Sequence, residues 1–203
     1  MNKITEIYFA GGVFSITVEG DAGAEKYLAA REFFTPLGLA EGDGVGDEEL
    51  EALREATVLT AACRKALDAL SRSDVSRRAL EDRLVLKYKF DRKTAEAAAD
   101  YAVRRGFLDE ERQASELAHR AARSKNHGRR LVVAELLSKG YPKDVAERAA
   151  NSVPDGEYAA ALRRALAKKS GDAPKIVASL VRLGHLPSDA AKAVNEKNQG
   201  IKE

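Results

Sequence analysis

The chain has 203 residues, of which 44% are hydrophobic and 33% are charged, and its formal net charge is +2. Its single cysteine excludes an internal disulfide framework, and no apolar stretch approaches the roughly 18–20 residues that span a membrane. The polar start MNKITE is unlike the apolar core of a signal peptide, so we predict a cytoplasmic protein.

The charge is distributed unevenly along the chain. Residues 1–56 hold 4 basic and 12 acidic side chains, whereas residues 57–203 hold 30 basic and 20 acidic ones. An acidic front therefore precedes a basic body. A basic body suits a polyanion or an acidic protein surface as a partner.

The first 20 residues have the pattern of a β-hairpin. Two runs rich in β-branched and aromatic residues, 4–9 and 13–18, flank Gly11 and Gly12. Glycines at this point allow the positive φ angles of a two-residue turn, and this turn fixes the register of the two strands on one apolar face. The predicted opposite pairs are Phe9 with Phe14, Ile7 with Ile16, and Thr5 with Val18.

The next segment is predicted to be a short amphipathic helix and a loop. Residues 22–40 have a helical pattern that ends in a turn at residues 36–38. The glycine-rich stretch 38–50 is predicted to be a flexible loop that ends in a helix N-cap at Asp47. Its acidic side chains would repel a phosphate group, so we exclude a phosphate-binding loop.

From about residue 48 the chain is predicted to be helical and to repeat. Each copy has an apolar triplet with spacing i, i+4, i+5, a tight turn and then two small apolar residues. The triplets are Leu80, Leu84 and Val85; Val132, Leu136 and Leu137; and Ile176, Leu180 and Val181. The small residues are Ala95 and Ala98; Ala146 and Ala149; and Ala191 and Val194.

A further helix precedes each of these helix pairs, so we predict a mainly α fold of three tandem three-helix repeats after the small N-terminal β-hairpin segment. Neighbouring repeats would bury each other's apolar edges in an elongated, curved array. The N-terminal hairpin and acidic segment would occupy residues 1–47. The three repeats would occupy residues 48–106, 107–153 and 154–203.

The sequence has no signature of an enzyme. It contains no phosphate loop, no dinucleotide-binding glycine motif and no nucleophile elbow. His119, His127 and His185 are widely separated and lack partners at the spacing of metal ligands. Cys63 lies in an apolar helical pattern, which predicts a buried structural thiol. We therefore predict a non-enzymatic protein with no metal and no cofactor.

Two arginine pairs occupy equivalent places in the first two repeats, Arg77-Arg78 and Arg129-Arg130. Both are predicted in a first helical turn, where an exposed cation opposes the helix dipole at a cost of about 0.3–1 kcal/mol. The third repeat has Ala173-Pro174 instead, so the fold does not require the arginines. They either bind phosphate or carboxylate groups of a partner or form a solvated patch.

Several segments resemble the RecX family of regulators of the RecA recombinase. They are RRGFLDEERQA at 104–114, GRRLVVAELLSKGY at 128–141, SRRALEDRL in the first repeat and LVRLGHLPSDAAKAV in the third. The resemblance covers residues 57–196 well and residues 1–56 more loosely. Family members usually have an aspartate pair and a phenylalanine where this chain has Glu110 and Gln113. Ala79 occupies a position that is often acidic, which removes a capping box with Ser76.

The resemblance implies a nine-helix protein that binds the groove of the RecA–DNA filament. It would inhibit filament extension, ATP hydrolysis, strand exchange and co-protease activity, with the RecA filament as partner and the DNA backbone as an additional contact. The alternatives are a nucleic-acid-binding helical protein that acts independently of RecA, and an interaction scaffold whose charge only gives solubility. The predicted partner-binding residues are Ser76, Arg77, Arg78, Lys87, Arg123, Lys125, His127, Arg129, Arg130 and Lys139.

Overall fold

The computed structural model describes residues 2–21 and 23–199. They belong to two compact units: Met1–Ser73 with Leu80–Leu108, and Asp74–Ala79 with Asp109–Glu203. The predicted mainly α fold is confirmed, and the predicted N-terminal hairpin is part of a four-stranded sheet. No helix in the described part of the chain is long and apolar enough to cross a membrane.

The first unit begins with a four-stranded antiparallel sheet in the order β3-β2-β1-β4. The predicted hairpin is confirmed, with Phe9 opposite Phe14 and Ile7 opposite Ile16. The strands are β1 (Asn2–Ala10), β2 (Val13–Gly20), β3 (Gly23–Ala30) and β4 (Gly44–Val45).

A β-bulge makes the third predicted strand pair wrong. The register shifts between Ile4 and Glu6, so that Val18 lies opposite Ile4 rather than Thr5. The extra residue turns Ile4 into the core, where it is fully buried, and leaves Thr5 exposed. This exchange favours the fold because isoleucine gains more free energy from burial than threonine does.

The predicted helix over residues 22–40 is wrong. Its first part is strand β3, and only α1 (Arg31–Phe34) is α-helical, followed by a 3₁₀ turn at Thr35–Leu37. The sequence of β3, GAEKYLAA, is rich in residues that favour helices. Its burial nevertheless follows the two-residue period of a strand, because Tyr27 and Ala29 are buried while Leu28 between them is exposed.

The predicted flexible loop before the first long helix is fixed by strand pairing. Strand β4 pairs with the start of β1 and buries Val45. Helix α2 (Asp47–Leu70) then begins one residue earlier than predicted, with Gly46 rather than Asp47 as its N-cap. The Glu49 carboxylate accepts a hydrogen bond from the Gly46 N–H at 2.9 Å, so an acidic side chain still stabilises this helix start.

In the part of the chain that the structure describes, eight further long helices follow α2, and the three predicted helix triplets are present. The first triplet is completed by α3 (Arg77–Leu86) and α4 (Arg92–Arg104). The second comprises α5 (Glu110–Lys125), α6 (Arg129–Ser138) and α7 (Lys143–Ser152). The third comprises α8 (Asp155–Ala167), α9 (Ala173–Arg182) and α10 (Pro187–Gln199).

The middle and last helices of each triplet are joined by the same turn. A residue with positive φ ends the middle helix, and the N–H of the next residue bonds back to a buried leucine carbonyl. The positive-φ residues are Lys89 (64°), Gly140 (87°) and Gly184 (88°). The bonds run from Phe90 to Leu84, from Tyr141 to Leu136 and from His185 to Leu180.

These turns correct one detail of the predicted repeat. Ala95 and Ala146 each lie five residues after the turn residue whose N–H bonds back to the leucine carbonyl, and both are fully buried. The corresponding residue of the third repeat is the fully buried Ala190, whereas the predicted Ala191 is only partly buried. The two alanines are adjacent, so only the position of the turn distinguishes them.

Candidate interaction surface

The start of α6, which carries one of the arginine pairs, lies against the α9–α10 turn. The N–H of Gly128 donates to the Leu183 carbonyl at 2.7 Å, and the N–H of Arg130 donates to the Gly184 carbonyl at 3.3 Å. A Cβ atom added to Gly128 would lie 2.4 Å from backbone atoms of Gly184 and His185. The glycine N-cap therefore allows two backbones to touch and fixes the place of the arginine pair.

The start of α3 lies on the α6–α7 turn in the same way. The Ser76 hydroxyl donates to the Lys139 carbonyl at 2.7 Å and accepts from the Ala79 N–H at 3.2 Å. The carboxylate of Glu110 accepts from the Arg77 N–H at 2.9 Å. A carboxylate from the next repeat thus binds the start of a helix that lacks an acidic residue at position 79.

Ser76, one of the predicted binding residues, has only 1% of its surface exposed. Its hydroxyl both donates and accepts a hydrogen bond within the second unit. Its role in the structure is therefore to join α3 to the α6–α7 turn.

Three predicted cationic residues and His127 face carboxylates of their own unit. Because Arg123, Lys125 and Arg129 are 66%, 50% and 43% exposed, a partner's anion can compete for these cations. The pairs are Arg123 Nε with Glu157 (3.5 Å), Lys125 Nζ with Glu135 (2.5 Å), His127 Nδ1 with Glu135 (3.1 Å) and Arg129 Nη2 with Asp155 (2.6 Å).

The carboxylate of Glu135 is the centre of one of these clusters. Partial burial acts to raise its pKa, but hydrogen bonds and charge from Lys125 and His127 outweigh it and lower the pKa below the usual range. Glu135 is therefore ionised at neutral pH and contacts both side chains.

Arg129 lies between a carboxylate and an aromatic ring. Its guanidinium is 5.1 Å from the centroid of the Tyr158 ring, and its partner Asp155 is 92% exposed. Tyr158 is fixed in turn, because its hydroxyl donates to the Ala150 carbonyl at 2.8 Å. The ring keeps the guanidinium in place, while the exposed carboxylate can be exchanged for an anion of a partner.

The remaining candidates divide between the two units. Arg130 and Lys139 are exposed and form no ion pair within residues 2–21 and 23–199. Arg78 is exposed beside Gly140, and Arg77 is partly exposed at the start of α3. Lys87 belongs to the first unit, where its Nζ lies 5.3 Å from the Tyr88 ring centroid.

A partly buried polar network holds the loop that carries the cationic segment, and the sequence did not reveal it. Asn126 ends α5 with a φ of 56°, and its side-chain oxygen accepts from Arg164 Nε at 2.9 Å. Arg164 also donates to the Ala122 carbonyl at 3.2 Å and to Glu157 at 2.9 Å. His185 Nε2 lies 3.0 Å from the Asn126 carbonyl, to which it donates. These partners are 38 to 59 residues from Asn126 in sequence, so no local pattern predicts them.

The burial of His185 predicts a loss of stability at acidic pH. Burial lowers the pKa of His185 below 6.5, and the smaller opposing effects of the Asn126 hydrogen bond and the Asp189 charge do not cancel it. The unfolded chain takes up a proton near pH 6.5, whereas the folded chain resists it. Protonation of His185 should therefore not affect the free energy of unfolding well above pH 6.5, and it should lower this free energy as the pH drops below 6.5.

Urea unfolding followed by circular dichroism between pH 5 and pH 8 measures this effect. A His185→Gln variant keeps a donor for the Asn126 carbonyl but cannot be protonated, so its stability should change less with pH than that of the wild type. Equal slopes in the two proteins would contradict the prediction.

The described residues offer little for covalent or metal chemistry. Cys63 is buried as predicted, and burial raises the pKa of its thiol to about 12, which leaves it protonated and inert. Within residues 2–21 and 23–199, no group of three histidine, cysteine or acidic side chains could hold a metal ion.

Comparison with known proteins identifies the fold. No family model and no curated protein matches the chain. A crystal structure described as regulatory protein RecX matches with a TM-score of 0.81 and 15% identity, covering 97% of this chain and 100% of that one. A crystal structure of RecX from Lactobacillus salivarius matches with a TM-score of 0.60 and 17% identity, covering 69% and 96%. The resemblance read from the sequence is thus confirmed in three dimensions: the chain has the fold of the RecX regulatory proteins.

Proposed function

We propose that this chain belongs to the RecX family and regulates the RecA recombinase. It would bind the groove of the RecA–DNA filament and inhibit filament extension, ATP hydrolysis, strand exchange and co-protease activity. The observation that carries the proposal is the fold, which matches a RecX structure over 97% of the chain. The segments at 104–114 and 128–141, which resemble the family in sequence, agree with this match in fold.

The geometry at the start of α6 supports regulation by binding. The Gly128 contact with the α9–α10 turn holds Arg129 and Arg130 in a fixed place before any partner arrives. The guanidinium of Arg129 is also held by Asp155 and the Tyr158 ring, so it loses little conformational entropy when it binds a carboxylate or phosphate. No step of this function requires a catalytic group or a cofactor.

An ATPase assay with RecA on single-stranded DNA tests the proposed function. Adding the purified chain at ratios well below one per RecA should reduce ATP hydrolysis, because one bound molecule stops the extension of a whole filament. No effect at any ratio up to equimolar would contradict the proposal. Binding to bare DNA as tight as binding to the filament, with a steep dependence on salt, would favour action independent of RecA.

Charge reversal tests the part played by the cationic pair. The double variant Arg129→Glu, Arg130→Glu should raise the concentration needed for half-inhibition by at least about tenfold, because close like charges replace attraction with repulsion. The control is Lys143→Glu, Lys175→Glu, which reverses two exposed first-turn cations of α7 and α9. Helix content from circular dichroism should be the same in both variants. Equal inhibition by both would exclude the α6 cations from the contact.

A further inference from the structure

An open groove of about 630 Å³ lies between the start of α6 in the second repeat and the α9–α10 turn, α8 and α10 of the third. Its apolar lining includes Tyr158, Leu162, Leu186 and Ala193. Leu186 is 52% exposed. The groove therefore offers apolar surface that this chain leaves uncovered.

The corresponding place in the second repeat is bridged by an ion pair. There Arg148 of α7 pairs with Glu111 of α5 and, at 3.0 Å, with Asp144. This bridge ties the first helix of the repeat to the third.

The third repeat lacks the bridge. The residues 44 positions later are Asp155, Ser188 and Lys192. Lys192 lies 4.0 Å from Glu196 on its own helix instead. Among the described residues no ion pair joins α8 to α10, and this difference between the repeats accompanies the open groove.

The charges around the groove favour a protein segment over a nucleic acid. Arg130 and Arg163 line it, are exposed and have no carboxylate partner in the described part of the chain. Asp155 and Glu196 also line it, but they lie beside Arg129 and Lys192, at 2.6 and 4.0 Å. With Asp189 they interrupt the positive charge of the groove, which therefore lacks the continuous cationic surface that a phosphate backbone requires. A peptide that carries carboxylates at separate points can meet the two arginines, avoid the three acids and bring an apolar side chain as well.

We propose that this groove binds an acidic amphipathic segment of the RecA protein. One apolar side chain would lie against Leu162 and Leu186, and flanking carboxylates would pair with Arg130 and Arg163. An apolar anchor surrounded by charge-assisted hydrogen bonds is a common arrangement at the centre of an interface. The choice of RecA as the source rests on the proposed function, whereas the chemistry of the segment rests on the groove.

Filling the groove without changing its charge tests the site. Ala159 is exposed on α8 and lines the groove, and Ala134 is exposed on α6 outside it. Ala159→Trp should raise the concentration for half-inhibition of the RecA ATPase at least about tenfold, while Ala134→Trp should stay within about twofold of wild type. If Ala159→Trp has lost helix content, Arg163→Glu replaces it with the same expectation.

The outcomes separate the two proposals. If the groove variants inhibit the RecA ATPase as well as wild type does, the groove is not the binding site, and the proposed function is unaffected. A wild-type chain without effect on RecA would overturn the proposed function and, with it, RecA as the source of the segment.

Photo-crosslinking identifies what occupies the groove. p-Benzoylphenylalanine incorporated at Leu186 should capture RecA, and mass spectrometry should place the bond in a peptide with carboxylates beside an apolar residue. The control site is Leu137, a leucine on α6 that is 43% exposed and lies outside the groove. Capture of DNA, capture of a second copy of this chain, or equal capture of RecA from both sites would contradict the proposal.

Discussion

Gly128→Ala should lower the free energy of unfolding of the second unit by about 3 kcal/mol, the upper part of the range for overpacking. The new Cβ atom would lie 2.4 Å from backbone atoms of Gly184 and His185. Backbone cannot change rotamer to make room, so the α9–α10 turn must move away. That movement breaks the 2.7 Å hydrogen bond from Gly128 to Leu183. The φ of Gly128 is −77°, so the cost comes from the contact and not from backbone strain.

The matched control is Gly156→Ala in α8. A Cβ atom there meets nothing within 4 Å, and alanine favours a helix over glycine, so this variant should gain about 0.5 kcal/mol. Urea unfolding followed by circular dichroism gives both values. If the free energy of unfolding of Gly128→Ala is within about 1 kcal/mol of wild type, the start of α6 and the α9–α10 turn are not held in contact. The contact could then not fix the position of Arg129.

The helical part of the fold could be predicted because its determinants are local. The spacing of Leu80 and Leu84 places both on one helix face, and Gly140 and Gly184 mark the turns where positive φ is needed. The first repeat uses Lys89 at the same turn, where no glycine marks the place. The position of this turn could be predicted from its alignment with the other two repeats, but not from the residues of the turn itself.

Strand β3 could not be predicted because its cause is not local. Its residues favour a helix, but β2 presents a sheet edge, and α2 satisfies the outer edge of the new strand. Thr57 Oγ1 accepts from the Leu28 N–H at 3.2 Å, and Thr60 Oγ1 accepts from the Ala30 N–H at 2.8 Å. These threonines are 29 and 30 residues from their partners. Tertiary pairing therefore overrides a weak helical preference.

The cationic residues of the candidate surface stand out in the sequence, but the acidic residues that pair with them do not. The arginine pair before Leu131 stands out in the sequence, whereas Asp155, the partner of Arg129, lies 26 residues further on. The sequence contains one signal of the groove. Aligning the second and third repeats sets Arg148 against Lys192, and only the structure shows that Arg148 bridges two helices while Lys192 does not.

Leu136→Ala should destabilise the second unit by about 3 kcal/mol, the middle of the range for truncating a buried leucine. Leu136 is 2% exposed and packs in a core formed largely of alanines, which have no rotamers with which to refill a cavity. The neighbouring Leu137 is 43% exposed, so Leu137→Ala should cost less than about 1 kcal/mol. Both values follow from urea unfolding monitored by circular dichroism.

The same test extends to the other repeats because Leu84 and Leu180 are fully buried and make the equivalent backbone bond at their turns. If the repeat determines the fold, Leu84→Ala and Leu180→Ala should each cost an amount similar to Leu136→Ala, since one side chain fills the same place three times. A loss at Leu137 as large as that at Leu136 would mean that α6 is rotated from the orientation described. Arg130 would then no longer line the groove, so this pair of alanine variants also tests the geometry on which the proposed RecA contact depends.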